Sequence, residues 1–192
     1  AVKASEKFGS DDAKVYTDYE ELLKDTSIDI VHVLTPNVSH SPITVAAFEV
    51  GKHVMCEKPM AHTTEAAQKM IDAWKKSGKN FTIGYQNRFR PEVQTLFKSC
   101  KNDELGEIYF AKAHAVSSRA VPTWWVFQDK SNQGGGPLID IVTHALDIPF
   151  WMMNHYQPVS VTASVFTKLG TLHQSTEGNM FGPWYLATYE VE

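Results

Sequence analysis

Short apolar segments alternate with helical patterns along the first half of the chain. Residues 28–34 form an apolar run rich in β-branched side chains, and it stops at a Thr-Pro-Asn turn, as a buried strand would. Two further short runs, His53–Cys56 and residues 81–85, also predict strands. The resulting order of strand, helix, strand, helix and strand favours a parallel sheet with right-handed crossovers.

Capping residues predict where the helices between these strands begin and end. Ser41 and Pro42 suit the N-cap and the first position of one helix. Thr63 or Thr64 suits the N-cap of the next, and Gly78 suits its end.

The pattern changes near residue 105. Residues 108–117, 159–167 and 185–191 alternate between apolar and polar positions, which indicates half-buried strands of a more open sheet. A helix is predicted from Pro137 to about Met152, and Pro149 should kink or end it, because proline lacks a backbone donor. We therefore predict an α/β fold with one domain over residues 1–105 and a second over 106–192.

Composition narrows the function classes. The chain has 192 residues, 43% of them hydrophobic, and a formal net charge of -4, which is typical of a globular protein and argues against nucleic-acid and membrane surfaces. No apolar run approaches the ~20 residues that span a bilayer. The two cysteines, Cys56 and Cys100, lack metal-ligand spacing, and so few thiols fit a reducing, cytoplasmic location.

Polar residues follow each predicted strand of the first half. Ligands bind beyond the carboxyl ends of strands in open parallel sheets, so these residues describe the rim of one crevice. A polar turn alone would be unremarkable, but three in succession favour a ligand site. They are Thr35-Pro36-Asn37 with His40, then Glu57-Lys58-Pro59, then Gln86-Asn87-Arg88.

A second set of candidates follows three consecutive glycines. Asp140 and His144 have i,i+4 spacing, which on an α-helix would let the carboxylate hold one imidazole nitrogen and leave the other to take a proton. Lys58 could lower the pKa of a substrate hydroxyl by its charge. The alternatives are an ordinary helix-surface pair and a solvated lysine. A loop before the glycines could contact a sugar ring, although packing is an equal role for its tryptophans; its candidates are Arg119, Trp124 and Trp125.

Taken together and in order, these motifs resemble those of the Gfo/Idh/MocA oxidoreductases over nearly the whole chain. Residues 35–40 resemble the T-P-N-x-x-H segment, and residues 57–59 the E-K-P signature, whose Lys-Pro bond is often cis. Residues 86–89 resemble the segment after the last strand of the nucleotide domain. Residues 134–144 resemble the G-G-G-x-L-x-D-x-G-x-H catalytic helix, with Val142 where the family usually has glycine.

The resemblance implies a partial Rossmann-like dinucleotide-binding domain, followed by an α+β domain with an open, mainly antiparallel sheet. It implies hydride transfer between a sugar, cyclitol or related polyol and NAD or NADP, and a homo-oligomeric parent protein. The expected cofactor-binding residues are Thr35, Pro36, Asn37, His40, Glu57, Lys58 and Gln86. The expected catalytic residues are Lys58, Asp140 and His144. The expected substrate-binding residues are these three with Arg88, Arg119, Trp124 and Trp125.

Within this implied reaction, either His144 or Lys58 handles the hydroxyl proton, and Asp140 orients or relays. The sequence does not distinguish NAD from NADP, and no G-x-G-x-x-G fingerprint occurs in it. We therefore expect an internal piece of a longer enzyme, which alone would bind a dinucleotide poorly and turn over nothing.

Other functions remain open at this point. An enzyme with the same residues could use NAD transiently to cleave a glycosidic bond and return the cofactor unchanged. A non-catalytic binding protein of the same fold is a third possibility. A hydrolase is the least favoured, because no serine or cysteine lies in a nucleophile elbow.

Overall fold

The computed structural model describes residues 1–10, 12–116 and 129–164. Its first part contains helices α1 (Val2–Phe8), α2 (Tyr19–Lys24), α3 (Asn37–Glu49), α4 (Thr64–Ser77) and α5 (Pro91–Lys101) and strands β1 (Ile30–Val33), β2 (His53–Cys56) and β3 (Phe81–Ile83), with a 3-10 turn at Gln86–Phe89. Its second part contains α6 (Lys130–Gln133), a π-helical turn at Leu138–Val142 and α7 (Thr143–Met153).

The three strands form one parallel sheet in the order β1-β2-β3. The register pairs Val33 with Cys56 and Cys56 with Ile83, so all three strands end at the same edge. The predictions of an α/β fold and of this parallel sheet are therefore confirmed.

The core lies between the sheet and helices α3 and α4. Ala47 and Phe48 of α3 and Met70 of α4 are almost completely buried, and the Phe48 ring meets the Phe81 ring edge-on at 5.3 Å. Burial of a phenylalanine or methionine side chain contributes about 1.5–3 kcal/mol, which fixes the helices on the strands.

Helix α4 has the predicted ends, whereas α3 begins earlier than predicted. Thr63 accepts a hydrogen bond from the Ala66 amide, and Gly78 ends α4 with a φ of 65°. The prediction of Ser41 as an N-cap is wrong. Ser41 is buried inside α3 and donates to the Ala66 carbonyl oxygen (2.9 Å), so it joins the two helices; Pro42 also lies inside α3.

The second part of the chain follows the prediction for its helix but not for its strands. The helical segment runs from Leu138 to Met153 and includes Pro149, which does not end it. Residues 108–116 and 159–164 carry no strand in the described structure, although their alternation predicted one. A strand exists through hydrogen bonds to a neighbouring strand, and the described residues provide none for these segments. The predicted strand at residues 185–191 lies outside the described residues.

Within the described ranges, no helix is both long enough and apolar enough to cross a membrane.

Candidate active site

The polar residues predicted to share a rim do converge at the common end of the three strands. Thr35 follows β1, Glu57 follows β2, and Tyr85 with Gln86 follows β3. Thr35 and Gln86 are exposed there, so both can meet a ligand.

Two of the predicted cofactor-binding residues, Asn37 and His40, are buried and tie this rim together. His40 is fully buried, and its Nδ1 and Nε2 each lie 2.8 Å from a carbonyl oxygen, that of Pro59 and that of Thr35. Asn37 donates from Nδ2 to the Gln133 carbonyl oxygen at 3.0 Å. Both residues lie in the first turn of α3, just after β1, and direct contact with a cofactor stays a prediction.

The Glu57 carboxylate is set between the second and third strand ends. Its Oε2 accepts a hydrogen bond from the Lys58 amide at 3.2 Å. A Cβ on Gly84 would stand only 3.0 Å from Glu57 Oε1, so glycine leaves room for the carboxylate. The Lys58-Pro59 peptide bond is cis, as expected from the resemblance.

Lys58 and Asp140 form the contact that joins the two predicted catalytic sets. Lys58 Nζ lies 2.9 Å from both the main-chain oxygen and Oδ1 of Asp140, 82 residues further along the chain. Their side chains are 19% and 30% exposed, which keeps the ion pair partly out of water. A partly desolvated ammonium at a rim of strand ends is suited to bind an oxygen that gains negative charge.

The predicted hydrogen bond between Asp140 and His144 is absent from the described structure. The prediction assumed α-helical geometry, but Asp140 lies in a π-helical turn, whose hydrogen bonds span five residues instead of four. The Asp140 carboxylate pairs with Lys58 instead.

His144 lies beside this ion pair with an unsatisfied ring nitrogen. Its Nδ1 is buried and has no hydrogen-bond partner among the described residues. Burial lowers the pKa of His144 from its ordinary value, and the Lys58 charge lowers it further, while Asp140 opposes this. A neutral imidazole can accept a proton, so the position suits a general base.

Sequence reasoning missed two residues that hold this helix against the rim. The Tyr85 hydroxyl and Thr143 Oγ1 are 3.0 Å apart, and the Tyr85 ring meets the His144 ring edge-on at 6.1 Å. Tyr85 is the last residue of the predicted strand 81–85, and its place just before Gln86 was the available signal. Thr143 gave none, because a threonine next to a candidate histidine is common in helices.

Arg88, predicted to bind substrate, pairs with Asp147 in a bidentate ion pair. Substrate contact by Arg88 stays a prediction. The remaining predicted substrate residues, Arg119, Trp124 and Trp125, lie outside the described residues.

Two protein-family models match this chain, one in each of its two parts. One family model, "Oxidoreductase family, NAD-binding Rossmann fold", matches residues 1–85. A second, "GFO/IDH/MocA C-terminal domain", matches residues 93–181. The chain belongs to the Gfo/Idh/MocA family.

Relatives within the Gfo/Idh/MocA family include named sugar dehydrogenases. The D-glucoside 3-dehydrogenase of Escherichia coli (strain K12) is 43% identical over 188 residues, which are 98% of this chain and 52% of that protein. The levoglucosan dehydrogenase of Pseudarthrobacter phenanthrenivorans is 31% identical over 86% of this chain and 43% of its own length. The chain thus spans about half the length of the curated relatives it matches.

Solved structures of sugar oxidoreductases share the fold. Levoglucosan dehydrogenase in complex with NADH and levoglucosan aligns with a TM-score of 0.68 at 30% identity, covering 79% of this chain and 41% of that one. Aldose-aldose oxidoreductase from Caulobacter crescentus, complexed with glycerol, aligns with a TM-score of 0.65 at 30% identity over 80% of this chain and 46% of its own.

One departure from the usual Gfo/Idh/MocA pattern falls inside the site. Val142 stands where the family usually has glycine, and it is the last residue of the π-helical turn, half-buried and next to Thr143. The turn therefore accommodates a branched side chain two residues before His144.

Proposed function

We propose that the chain supplies part of the active site of an NAD(P)-dependent dehydrogenase, which transfers a hydride between nicotinamide and a hydroxyl-bearing carbon of a sugar or cyclitol. The observation that carries the proposal is the Lys58–Asp140 ion pair beside the unsatisfied Nδ1 of His144. An ammonium and a neutral imidazole side by side are the two groups needed to bind a hydroxyl oxygen and remove its proton.

The rim of strand ends fits a nicotinamide dinucleotide. It is open at Thr35 and Gln86, whose side chains are exposed. We propose that Thr35, Pro36, Glu57 and Gln86 hold the cofactor, with His40 and Asn37 supporting them from beneath. When bound, oxidised NAD(P) would supply the hydride acceptor.

The residues of this chain would handle the substrate hydroxyl and its proton. Lys58 has three N–H donors, and Asp140 takes two of them. The third can donate to the substrate oxygen and stabilise its negative charge as the proton leaves. We assign the base to His144, because its lowered pKa leaves the imidazole neutral, and Lys58 already acts as a donor to Asp140.

The substrate class is supported by the named relatives. A D-glucoside is the first substrate to test, since the 43% identical relative is a D-glucoside 3-dehydrogenase, and inositol is the second. We propose that Arg119, Trp124 and Trp125 contribute to substrate binding. We also propose that residue 105 divides the nucleotide part from the substrate part, and that the protein is a cytoplasmic homo-oligomer.

The test compares the natural full-length protein with two lysine variants. NADH or NADPH formation is measured by absorbance with a D-glucoside and with inositol. We expect Lys58→Met to lower kcat at least about 100-fold, the effect of losing one acid–base or electrostatic group. Lys98→Met, which removes an exposed lysine from α5, serves as the matched control and should leave kcat unchanged.

Two results would contradict the proposal. The first is an active wild type whose rate survives Lys58→Met. The second is a wild type that neither binds nor reduces a nicotinamide cofactor, which would favour a non-catalytic binding protein. Sugar cleavage without net NADH formation would instead identify the glycoside-cleaving alternative.

A further inference from the structure

The Arg88 guanidinium is held by contacts on its edge and on its faces. Nε donates to Asp147 Oδ2 at 2.7 Å, and Nη2 donates to Asp147 Oδ1 in a second, shorter bond. The Asp147 side chain is 7% exposed, and a carboxylate with so little access to water is stabilised by an opposite charge beside it. A bidentate ion pair of this kind fixes orientation as well as distance.

Aromatic rings complete the enclosure of Arg88. Its Cζ lies 5.2 Å from the centre of the Trp151 ring and 5.7 Å from the centre of the Tyr85 ring. Trp151 in turn stacks on Phe97 at 3.8 Å with an interplanar angle of 9°. Arg88 therefore links the segment after β3 to α7, and Trp151 extends this contact to α5.

These contacts hold the turn of helix that carries His144. Asp147 lies one turn after His144 on α7, and Thr143 lies just before it. Arg88 binds Asp147, and the Tyr85 hydroxyl lies within hydrogen-bond distance of Thr143. Both Arg88 and Tyr85 belong to the short segment after β3. Since β3 pairs with β2, and Lys58 follows β2, the same sheet edge positions both His144 and Lys58.

We propose that Arg88 is a positioning residue for catalysis, which acts through Asp147 to hold His144 against the Lys58–Asp140 pair. The proposal rests on the proposed function for its catalytic readout. It replaces the predicted substrate role of Arg88, because the guanidinium fork is already engaged by Asp147.

The pKa of His144 distinguishes this role from a purely stabilising one, because it responds to the charged groups around the imidazole. Lys58 lowers the pKa of His144, whereas Asp140, Asp147 and Glu57 raise it, and the uncharged Tyr85 ring packs against it. The positive charge of Arg88 compensates the negative charge of Asp147. Its removal should therefore leave an unbalanced negative charge one turn from the imidazole and raise the pKa of His144.

The experiment uses the natural full-length protein with wild type, Arg88→Gln, Arg88→Lys and Arg90→Gln. Arg90→Gln is the matched control, because it removes the same charge two residues away from an exposed side chain outside these contacts. Steady-state kinetics with a D-glucoside give kcat and KM. Titration by NMR of ¹³C-labelled histidine, with His144 assigned by a His144→Gln variant, gives the pKa of His144.

For Arg88→Gln we expect kcat to fall about 10- to 100-fold, the effect of misplacing a catalytic group by around 1 Å, with KM changed less than about 3-fold. The pKa of His144 should rise. Arg88→Lys keeps the charge but not the fork, so the pKa of His144 should stay near the wild-type value while kcat is partly restored.

An increase in KM alone, with an unchanged His144 titration, would overturn the proposal and return Arg88 to a substrate-binding role. If Arg88→Gln does not fold, the nearly isosteric Asp147→Asn gives the same test with the opposite sign, a lower pKa of His144 and a lower kcat. The titration needs no turnover. An inactive wild type would therefore reject the proposed function, while a shifted or unshifted His144 would still decide the role of Arg88.

Discussion

The main chain of His62 occupies the space that a side chain on Gly134 would need. A Cβ on Gly134 would stand 2.9 Å from both Cα and C of His62 and nearer still to its carbonyl oxygen. Gly134 also has a φ of 83°, which L side chains rarely adopt. The glycine loop can thus dock on the segment after Pro59, and this docking brings Asp140 within reach of Lys58.

Substitution of Gly134 by alanine should therefore be strongly destabilising. The backbone clash adds to the cost of the left-handed conformation, and we expect a loss of about 3 kcal/mol or more in the free energy of unfolding. Gly78→Ala is the control, since Gly78 has a φ of 65° and nothing within 4 Å of its Cβ position. It should cost only about 1–2 kcal/mol. Equal losses in urea denaturation would show that the contact with His62 contributes nothing.

Local patterns predicted the sheet and the edge at which its three strands end, because both depend on short-range signals. Buried strands need consecutive apolar residues, and their ends need turn residues such as the Thr35-Pro36 pair. Parallel order then brings the strand ends together without further information. This reasoning placed Thr35, Glu57 and Gln86 just after the ends of the three strands, where the structure has them.

The contacts between the two parts of the chain could not be predicted in this way. Lys58 and Asp140 are 82 residues apart, and Arg88 and Asp147 are 59 apart, so no spacing links them. The prediction of a hydrogen bond between Asp140 and His144 was wrong, because nothing in the sequence of residues 138–142 distinguishes a π-helical turn from an α-helix. Long-range packing decides both features.

The lowered pKa of His144 predicts where alcohol oxidation loses activity in acid. The proposed reaction needs a neutral imidazole, and burial together with the Lys58 charge lowers the pKa of His144, so the acid limb of kcat/KM should lie below the 6.5 of an ordinary histidine. His144→Gln should abolish the limb in the residual activity. His155→Gln, which removes an exposed histidine just after α7, should leave it in place. A limb that persists without His144 would assign the base elsewhere.

Substitution of Lys52 should lower the stability of the fold, because its ammonium has a structural role. Only 5% of Lys52 is exposed, and Nζ donates to the carbonyl oxygens of Asp25 and Ile28 at 2.8 and 2.7 Å. Lys52→Met leaves both acceptors without this donor. We expect the free energy of unfolding to fall by about 2 kcal/mol, the scale of hydrogen bonds from a charged group.

The control for Lys52 is Lys24→Met. Lys24 pairs with Glu21 on the surface of α2, where solvent screens the ion pair, so its loss should change stability little. Urea denaturation of the two variants decides the matter. Similar midpoints would mean that the two carbonyl groups near Lys52 find water as an equivalent partner.

The two cysteines should differ sharply in reactivity towards alkylating reagents. Cys56 is fully buried at the end of β2, and burial raises the pKa of its thiol to about 12. At about pH 8 only about one Cys56 side chain in ten thousand would be thiolate, the form that reacts. Cys100 is half-buried on α5 and more accessible. Iodoacetamide should therefore modify Cys100 in the folded protein and Cys56 only after denaturation, as read by peptide mass spectrometry. Equal modification of both thiols before unfolding would show that the sheet opens at β2 on the time scale of the reaction.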